Sequence, residues 1–296
     1  MKLNYLLLDV FTSQPLAGNQ LAVVLKADGM LDDQMQAIAR EFNLSETVFL
    51  LKPQVERHTS AVRIFTPSVE LPFAGHPTIG AAAVLGLQQR LSAVRIEEKV
   101  GLVTCVVERV DKHSAVARFA LPQLPEEAGK APEIKATAFA LGIEPEDVGC
   151  GVYQPALYSA GVPFYLVPVK NALVLKNLKL NLSNWEQTFP LGRHSVYCFT
   201  QTPEEKGNDL AARMFSPGMG LREDPGTGSA AAALIGLLAK HTSSADGQVE
   251  LKLRQGYEMG RPCQISVQFR KDGDVLTHGG IGGQAMIVGE GTLEFG

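Results

Sequence analysis

Residues 74–83 read Ala74-Gly75-His76-Pro77-Thr78-Ile79-Gly80-Ala81-Ala82-Ala83, and residues 224–233 read Asp224-Pro225-Gly226-Thr227-Gly228-Ser229-Ala230-Ala231-Ala232-Ala233. Each is a Gly/Pro turn that runs into an alanine-rich helix. Upstream, Arg63-Ile64-Phe65-Thr66-Pro67 is echoed 150 positions later by Arg213-Met214-Phe215-Ser216-Pro217. Further upstream, Ala17-Gly18 heads the strand-like run Leu21–Leu25 as Ala160-Gly161 heads Phe164–Val169. Three matches in one order, at offsets of 143 to 151, indicate a duplicated chain. The local register at the helix turns stays open: 151 matches Gly75 to Gly226, whereas 148 matches Pro77 to Pro225 and Gly80 to Gly228. A repeat this long exceeds the ~20–50 residues of solenoid units. It predicts two similar domains related by a pseudo-twofold axis, with equivalent helix starts near each other and a small-molecule cleft between domains.

The segments between these anchors alternate. Tyr5–Val10, Leu21–Leu25, Glu46–Leu51, Ala61–Phe65, Arg95–Glu98, Val103–Glu108 and Ala115–Phe119 read as strands. Leu31–Phe42 reads as a helix with Met35, Ile38, Ala39 and Phe42 on one face, and a second helix runs from Gly75 to about Leu87. Pro122–Pro132, with three prolines among polar residues, is the expected linker. The expected class is therefore α/β (α+β), divided into an N-terminal half over 1–125 and a C-terminal half over 126–296, the final strand able to return to the first half.

Composition narrows the function. The 296 residues are 45% hydrophobic and 20% charged, too apolar for a disordered chain. With 27 Lys+Arg against 31 Asp+Glu and no basic block, the electrostatic footprint of a nucleic-acid binder is missing. Cys105, Cys150, Cys198 and Cys263 show no ligand or disulfide spacing and are expected as reduced, mostly buried thiols. The first residues alternate as a strand does rather than forming a signal peptide, and the uncharged stretch 151–169 carries three prolines, so neither export nor a membrane span is expected. The cytoplasm is the expected location.

Three places could carry chemistry. The glycine-containing helix starts, Gly75-His76-Pro77 and Gly226-Thr227-Gly228-Ser229, offer unpaired N–H groups and the positive end of a helix dipole, hence seats for a carboxylate or phosphate. Tight turns with close helix packing are the alternative for either alone; their recurrence favours a ligand. His76 and Asp224 adjoin those starts, the one a proton mover near neutral pH, the other an acceptor or, alternatively, a helix N-cap. Glu46 opens an apolar strand, where lost hydration would raise its pKa toward general acid–base use, or where it is simply a solvated strand end. His58, His113, His194, His241 and His278 are expected at the surface or in turns, and no metal is indicated.

Together the segments resemble the PhzF-like (phenazine biosynthesis) isomerase family. The resemblance rests on 9–19 (DVFTSQPLAGN), Leu44-Ser45-Glu46-Thr47-Val48-Phe49, Phe65-Thr66-Pro67, 70–78 (ELPFAGHPT), 223–230 (EDPGTGSA) and 255–262 (QGYEMGRP). It implies a diaminopimelate-epimerase-like fold, each half a curved sheet around a central helix with the active site in the cleft between, in a homodimer that uses no cofactor. It further implies that Glu46 shuttles the proton, that His76 and Asp224 assist, and that Asn19, Gly75, Gly226, Thr227, Gly228 and Ser229 bind a small carboxylate substrate. Gln20 and Gly226 stand where the family often has Pro and Ala. Related two-base epimerases carry cysteines at positions that align here with Ala74 and Pro225, so a two-thiol racemase is disfavoured. Isomerisation of a dihydro-hydroxyanthranilate-like compound is the leading reading. The alternatives are an epimerase pairing Glu46 with His76 or Asp224, and a carboxylate-binding protein without catalysis.

Overall fold

The computed structural model describes residues 2–191, 194–219, 221–242 and 247–294. The chain divides into two compact units, Met1–Pro122 with Ile281–Gly296, and Gln123–Gly280. The first holds β1 (Lys2–Val10), β2 (Asn19–Val24), α1 (Asp32–Phe42), β3 (Glu46–Leu51), β4 (Ser60–Phe65), β5 (Glu70–Leu71), α2 (Gly75–Gln89), β6 (Ala93–Glu98), β7 (Gly101–Arg109) and β8 (Ser114–Ala120). The second holds β9 (Glu126–Gly129), α3 (Ile134–Leu141), β10 (Ala156–Ser159), β11 (Pro163–Pro168), α4 (Ala172–Lys176), α5 (Trp185–Thr188), β12 (Val196–Gln201), β13 (Leu210–Ser216), β14 (Leu221–Asp224), α6 (Gly228–His241), β15 (Gly247–Gln255) and β16 (Cys263–Asp272). The last strand, β17 (Val275–Glu294), begins in the second unit and passes into the first at Ile281.

In the first unit β1 pairs antiparallel with β2, β2 parallel with β3, β3 antiparallel with β4, β4 parallel with β6, and β6, β7 and β8 follow antiparallel. β17 pairs with both β8 and β1 and so closes the ring. Residues 75–86 of α2 are all buried, and the helix packs against β1, β2, β3, β6, β7 and β8. A helix apolar all round has to sit inside. By contrast α1 is amphipathic and packs outside, setting Met35, Ile38 and Ala39 against Phe49 and Phe65. Its ends are locally specified: the Gln34 side chain accepts from Leu31 N, Asp32 and Asp33 lie at the positive end, and Asn43 takes the left-handed stop at φ 50°.

The second unit repeats this pattern. β10 runs antiparallel to β11, β11 parallel to β12, β12 antiparallel to β13, β13 parallel to β15, and β15 antiparallel to β16. The buried helix α6 packs on β9, β10, β11 and β16, while α3, α4 and α5 cover the sheet through Leu141, Leu175, Trp185 and Phe189. The boundary between the units falls between Pro122 and Gln123, within the expected linker Pro122–Pro132, but that stretch is not all linker: its proline-free centre Glu126–Gly129 is β9, with Tyr158 opposite Glu127 and Ser159 opposite Glu126 on β10. All four residues of β9 are exposed, so the strand has no apolar alternation to betray it.

Candidate active site

Asn19 is the first residue of β2, Glu46 the first of β3, and His76 the second of α2. The parallel pairing of β2 with β3, Leu21 opposite Glu46, brings the entry ends of both strands together. Asn19 Nδ2 lies 3.3 Å from His76 Nδ1, and His76 Nε2 lies 3.5 Å from Glu46 Oε2. With the Asn19 amide oriented as assigned, its N–H donates to Nδ1, so the neutral ring carries its proton on Nε2, facing the carboxylate. The two side chains are only 4% and 13% exposed. Glu46 is therefore not the solvated strand end that its position in sequence allows. At 3.5 Å the contact is longer than an ordinary N–H···O bond, and it sets the imidazole beside the carboxylate.

In the second unit Asp224 ends β14 and is buried. The N-cap reading of Asp224 is corrected here: Thr227 occupies the cap position of α6, and its hydroxyl donates 2.6 Å to Asp224 Oδ2 rather than capping the helix. Pro225 and Gly226 carry the chain from strand to helix, placing Asp224 three residues ahead of the cap. Gln255, at the end of β15, completes the arrangement. Its Nε2 donates to Asp224 O at 2.8 Å and to Thr227 Oγ1 at 3.0 Å, and its Oε1 accepts from Thr227 N at 3.1 Å and Tyr197 OH at 2.9 Å. All four bonding positions of the amide are used, which holds the start of α6 rigidly. Gly228 is buried at that start and Ser229 half-buried beside it. Neither α2 nor α6 has a side-chain cap or an acidic residue in its first turn, which suits both to an anionic ligand.

Each strand leading into a helix start is clamped in the same way. Arg63 Nε and Nη2 donate to the two Glu70 carboxylate oxygens at 2.7 Å each, and Arg213 does the same to Glu223 at 2.8 and 2.9 Å. Each guanidinium also lies over a ring, Phe65 at 5.1 Å and Phe215 at 4.9 Å. The clamps settle the register left open above. From Glu70 to Glu223 and from Gly75 to Gly228 the offset is 153, neither 148 nor 151, because β14 enters later than β5. Ala74, the cap position of α2, therefore corresponds to Thr227 and not to Pro225. Neither is a thiol.

Among the described residues, no group of three or more His, Cys, Asp or Glu could hold a metal ion, and no helix is long and apolar enough to cross a membrane. All four cysteines are free thiols. His58 and His194 lie in turns, as expected, and each is tied down: His58, 10% exposed, is bonded to Glu97 at 2.7 Å, and His194 bonds Phe189 O at 2.7 Å. Gln255 and Tyr197 were not among the sequence candidates. Neither titrates near neutrality, and Tyr197 hides in an apolar run; only the start of the QGYEMGRP stretch marked Gln255 out.

The family described as phenazine biosynthesis-like protein, PhzC-PhzF, matches residues 8–291. This chain belongs to that family. It is 42% identical to an uncharacterised isomerase of Mesorhizobium japonicum, over 98% of each chain. It is 33% identical to the trans-2,3-dihydro-3-hydroxyanthranilate isomerase of Pseudomonas chlororaphis, covering 98% of this chain and 99% of that one. Its structure is similar, with a TM-score of 0.88 and 26% identity over the whole of both chains, to a PhzF-family phenazine biosynthesis protein of Bacillus anthracis. The duplicated α/β architecture is thus the architecture of the family.

Proposed function

We propose that the protein is an isomerase that moves a proton within a small unsaturated carboxylate resembling trans-2,3-dihydro-3-hydroxyanthranilate, with Glu46 as the proton carrier. The observation that carries this is the Glu46–His76–Asn19 chain: a shielded carboxylate opposite an imidazole whose tautomer is set from behind. Glu46 takes a proton from a carbon activated by the neighbouring unsaturation, the double bonds shift, and the same carboxyl returns the proton to another carbon on the same face. No redox partner enters the balance. His76 answers the change of charge on Glu46, and the amide at Gly75, with Asn19 beside it, engages the substrate's polar groups. In the second unit Asp224 and the amides at Gly226, Thr227 and Gly228, with Ser229 beside them, are the groups suited to do the same. Amides already held in place are the donors best suited to charge developing in a transition state. The substrate is small and organic; the expectations of a homodimer and of a cytoplasmic setting belong with this proposal.

The test is turnover of trans-2,3-dihydro-3-hydroxyanthranilate beside a panel of amino- and hydroxy-carboxylates, followed by NMR. Double-bond migration without inversion of a stereocentre supports the isomerase. Inversion alone would assign an epimerase, and binding without turnover a carboxylate-binding protein.

A further inference from the structure

Glu98 ends β6, nine-tenths buried, and has no part in the reaction above. Its Oε1 lies 2.7 Å from Thr78 Oγ1, and the same hydroxyl lies 2.8 Å from Ala74 O, the cap carbonyl of α2. A threonine hydroxyl has one proton. Ala74 O and a carboxylate can both only accept, and Ala74 O already accepts from Thr78 N at 3.2 Å. Both contacts of the hydroxyl are hydrogen bonds only if its one proton goes to Ala74 O and the carboxyl itself donates to Thr78 Oγ1. Glu98 Oε2 has no hydrogen-bond partner among the described residues, which suits the carbonyl oxygen of a neutral acid and not one end of a carboxylate.

The duplication places a neutral side chain at the equivalent position. In the first half Ser60 and Ala61 of β4 pair with Ile96 and Glu97, and in the second Leu210, Ala211 and Ala212 of β13 pair with Leu253, Arg254 and Gln255. With β4 and β13 related as Arg63 is to Arg213, Glu97 corresponds to Arg254 and Glu98 to Gln255. The neighbouring pair agrees. Glu97 ties down the loop before β4 through Gln54 N and Val55 N, and Arg254 ties down the loop before β13 through Glu205. Gln255 holds the start of α6 by donating from a neutral amide.

We infer that Glu98 is a neutral carboxylic acid in the folded protein and a positioning residue, the counterpart of Gln255, whose proton runs through Thr78 to Ala74 O and fixes the start of α2. The electrical surroundings permit it. Lys99 turns to Glu70, Glu97 to its loop and His58, and His76, in the first turn of α2, to Asn19 and Glu46. From β7 the coupled group is the Cys105 thiol, itself pushed up to about 12 by burial and by Glu98. Burial pushes the Glu98 carboxyl up to about 8. Ionisation would turn the Thr78 hydroxyl toward Glu98 and leave Ala74 O, the carbonyl that precedes Gly75-His76, with the Thr78 N–H alone at 3.2 Å.

The effect on catalysis rests on the isomerase reading, so the deciding test needs no substrate. Thermal midpoints of wild type and Glu98→Gln are compared from about pH 5 to about pH 9.5. A carboxyl raised from its ordinary value stabilises fully below that value and loses the contribution as pH climbs through the folded value. Glu98→Gln is neutral throughout, so its midpoint should gain several degrees on wild type between about pH 5 and about pH 8, then hold a constant lead. A difference that does not change with pH would overturn the inference. Wild type alone supplies a second readout: a protonated-carboxyl C=O infrared band present at neutral pH and lost as pH passes about 8. Absence of that band at neutral pH would also overturn it.

Discussion

Gln255 and Thr227 are joined twice, Thr227 N donating to Gln255 Oε1 at 3.1 Å and Gln255 Nε2 donating back to Thr227 Oγ1 at 3.0 Å. The Thr227 hydroxyl thereby keeps its own proton for Asp224, at 2.6 Å. A residue from the end of one strand thus sets the acceptor geometry of a carboxylate 31 positions earlier.

Gln255→Leu keeps roughly the volume of the side chain but leaves Thr227 N, Asp224 O and Tyr197 OH without their partner. We expect a loss of about 2–4 kcal/mol, since each buried polar group left unsatisfied costs ~1–3 kcal/mol and neighbouring losses are not additive. Urea unfolding checks the stability. Weaker substrate binding, with Glu46 and His76 untouched, checks the positioning.

The Arg213–Glu223 clamp, with side chains 10% and 15% exposed, should matter to stability in the same way. Breaking a largely buried bidentate pair leaves an uncompensated guanidinium, so Glu223→Gln is expected to cost about 2–3 kcal/mol. A urea transition that splits, with the Gln123–Gly280 unit unfolding first, is the expected signature. An unchanged single transition would show that the clamp holds little.

Thiol chemistry separates this chain from a two-thiol racemase. Cys105, Cys198 and Cys263 are buried, and burial raises the Cys105 thiol to about 12 and the Cys198 thiol further. Cys150 is half-buried. A thiol reagent such as DTNB should therefore react quickly with one cysteine, reach the other three only on unfolding, and leave turnover intact. Inactivation in step with the fast thiol would contradict the assignment.

Most of the framework was legible because it is written twice. The Arg-x-Phe echo and the two glycine-led alanine helices imply a duplicated α/β chain before any coordinates, and both helices are indeed the buried centres of their units. Glu46 and His76 were legible as residue types, but not their separation, which depends on the parallel pairing of β2 with β3. The 153-residue register was not legible, since it is set by how far along β13 and β4 the short return strands attach. Nor was the match of Glu98 with Gln255, because an acid and an amide share a role only when burial keeps the acid's proton on.

Deuterium incorporation tests the central claim most directly. Wild type and Glu46→Gln are incubated in D2O with trans-2,3-dihydro-3-hydroxyanthranilate, and substrate and product are weighed by mass spectrometry. If Glu46 carries the proton, wild type gains one deuterium at the reacting carbons, and Glu46→Gln gains none while still binding the compound. Equal incorporation by the variant would show that another group moves the proton.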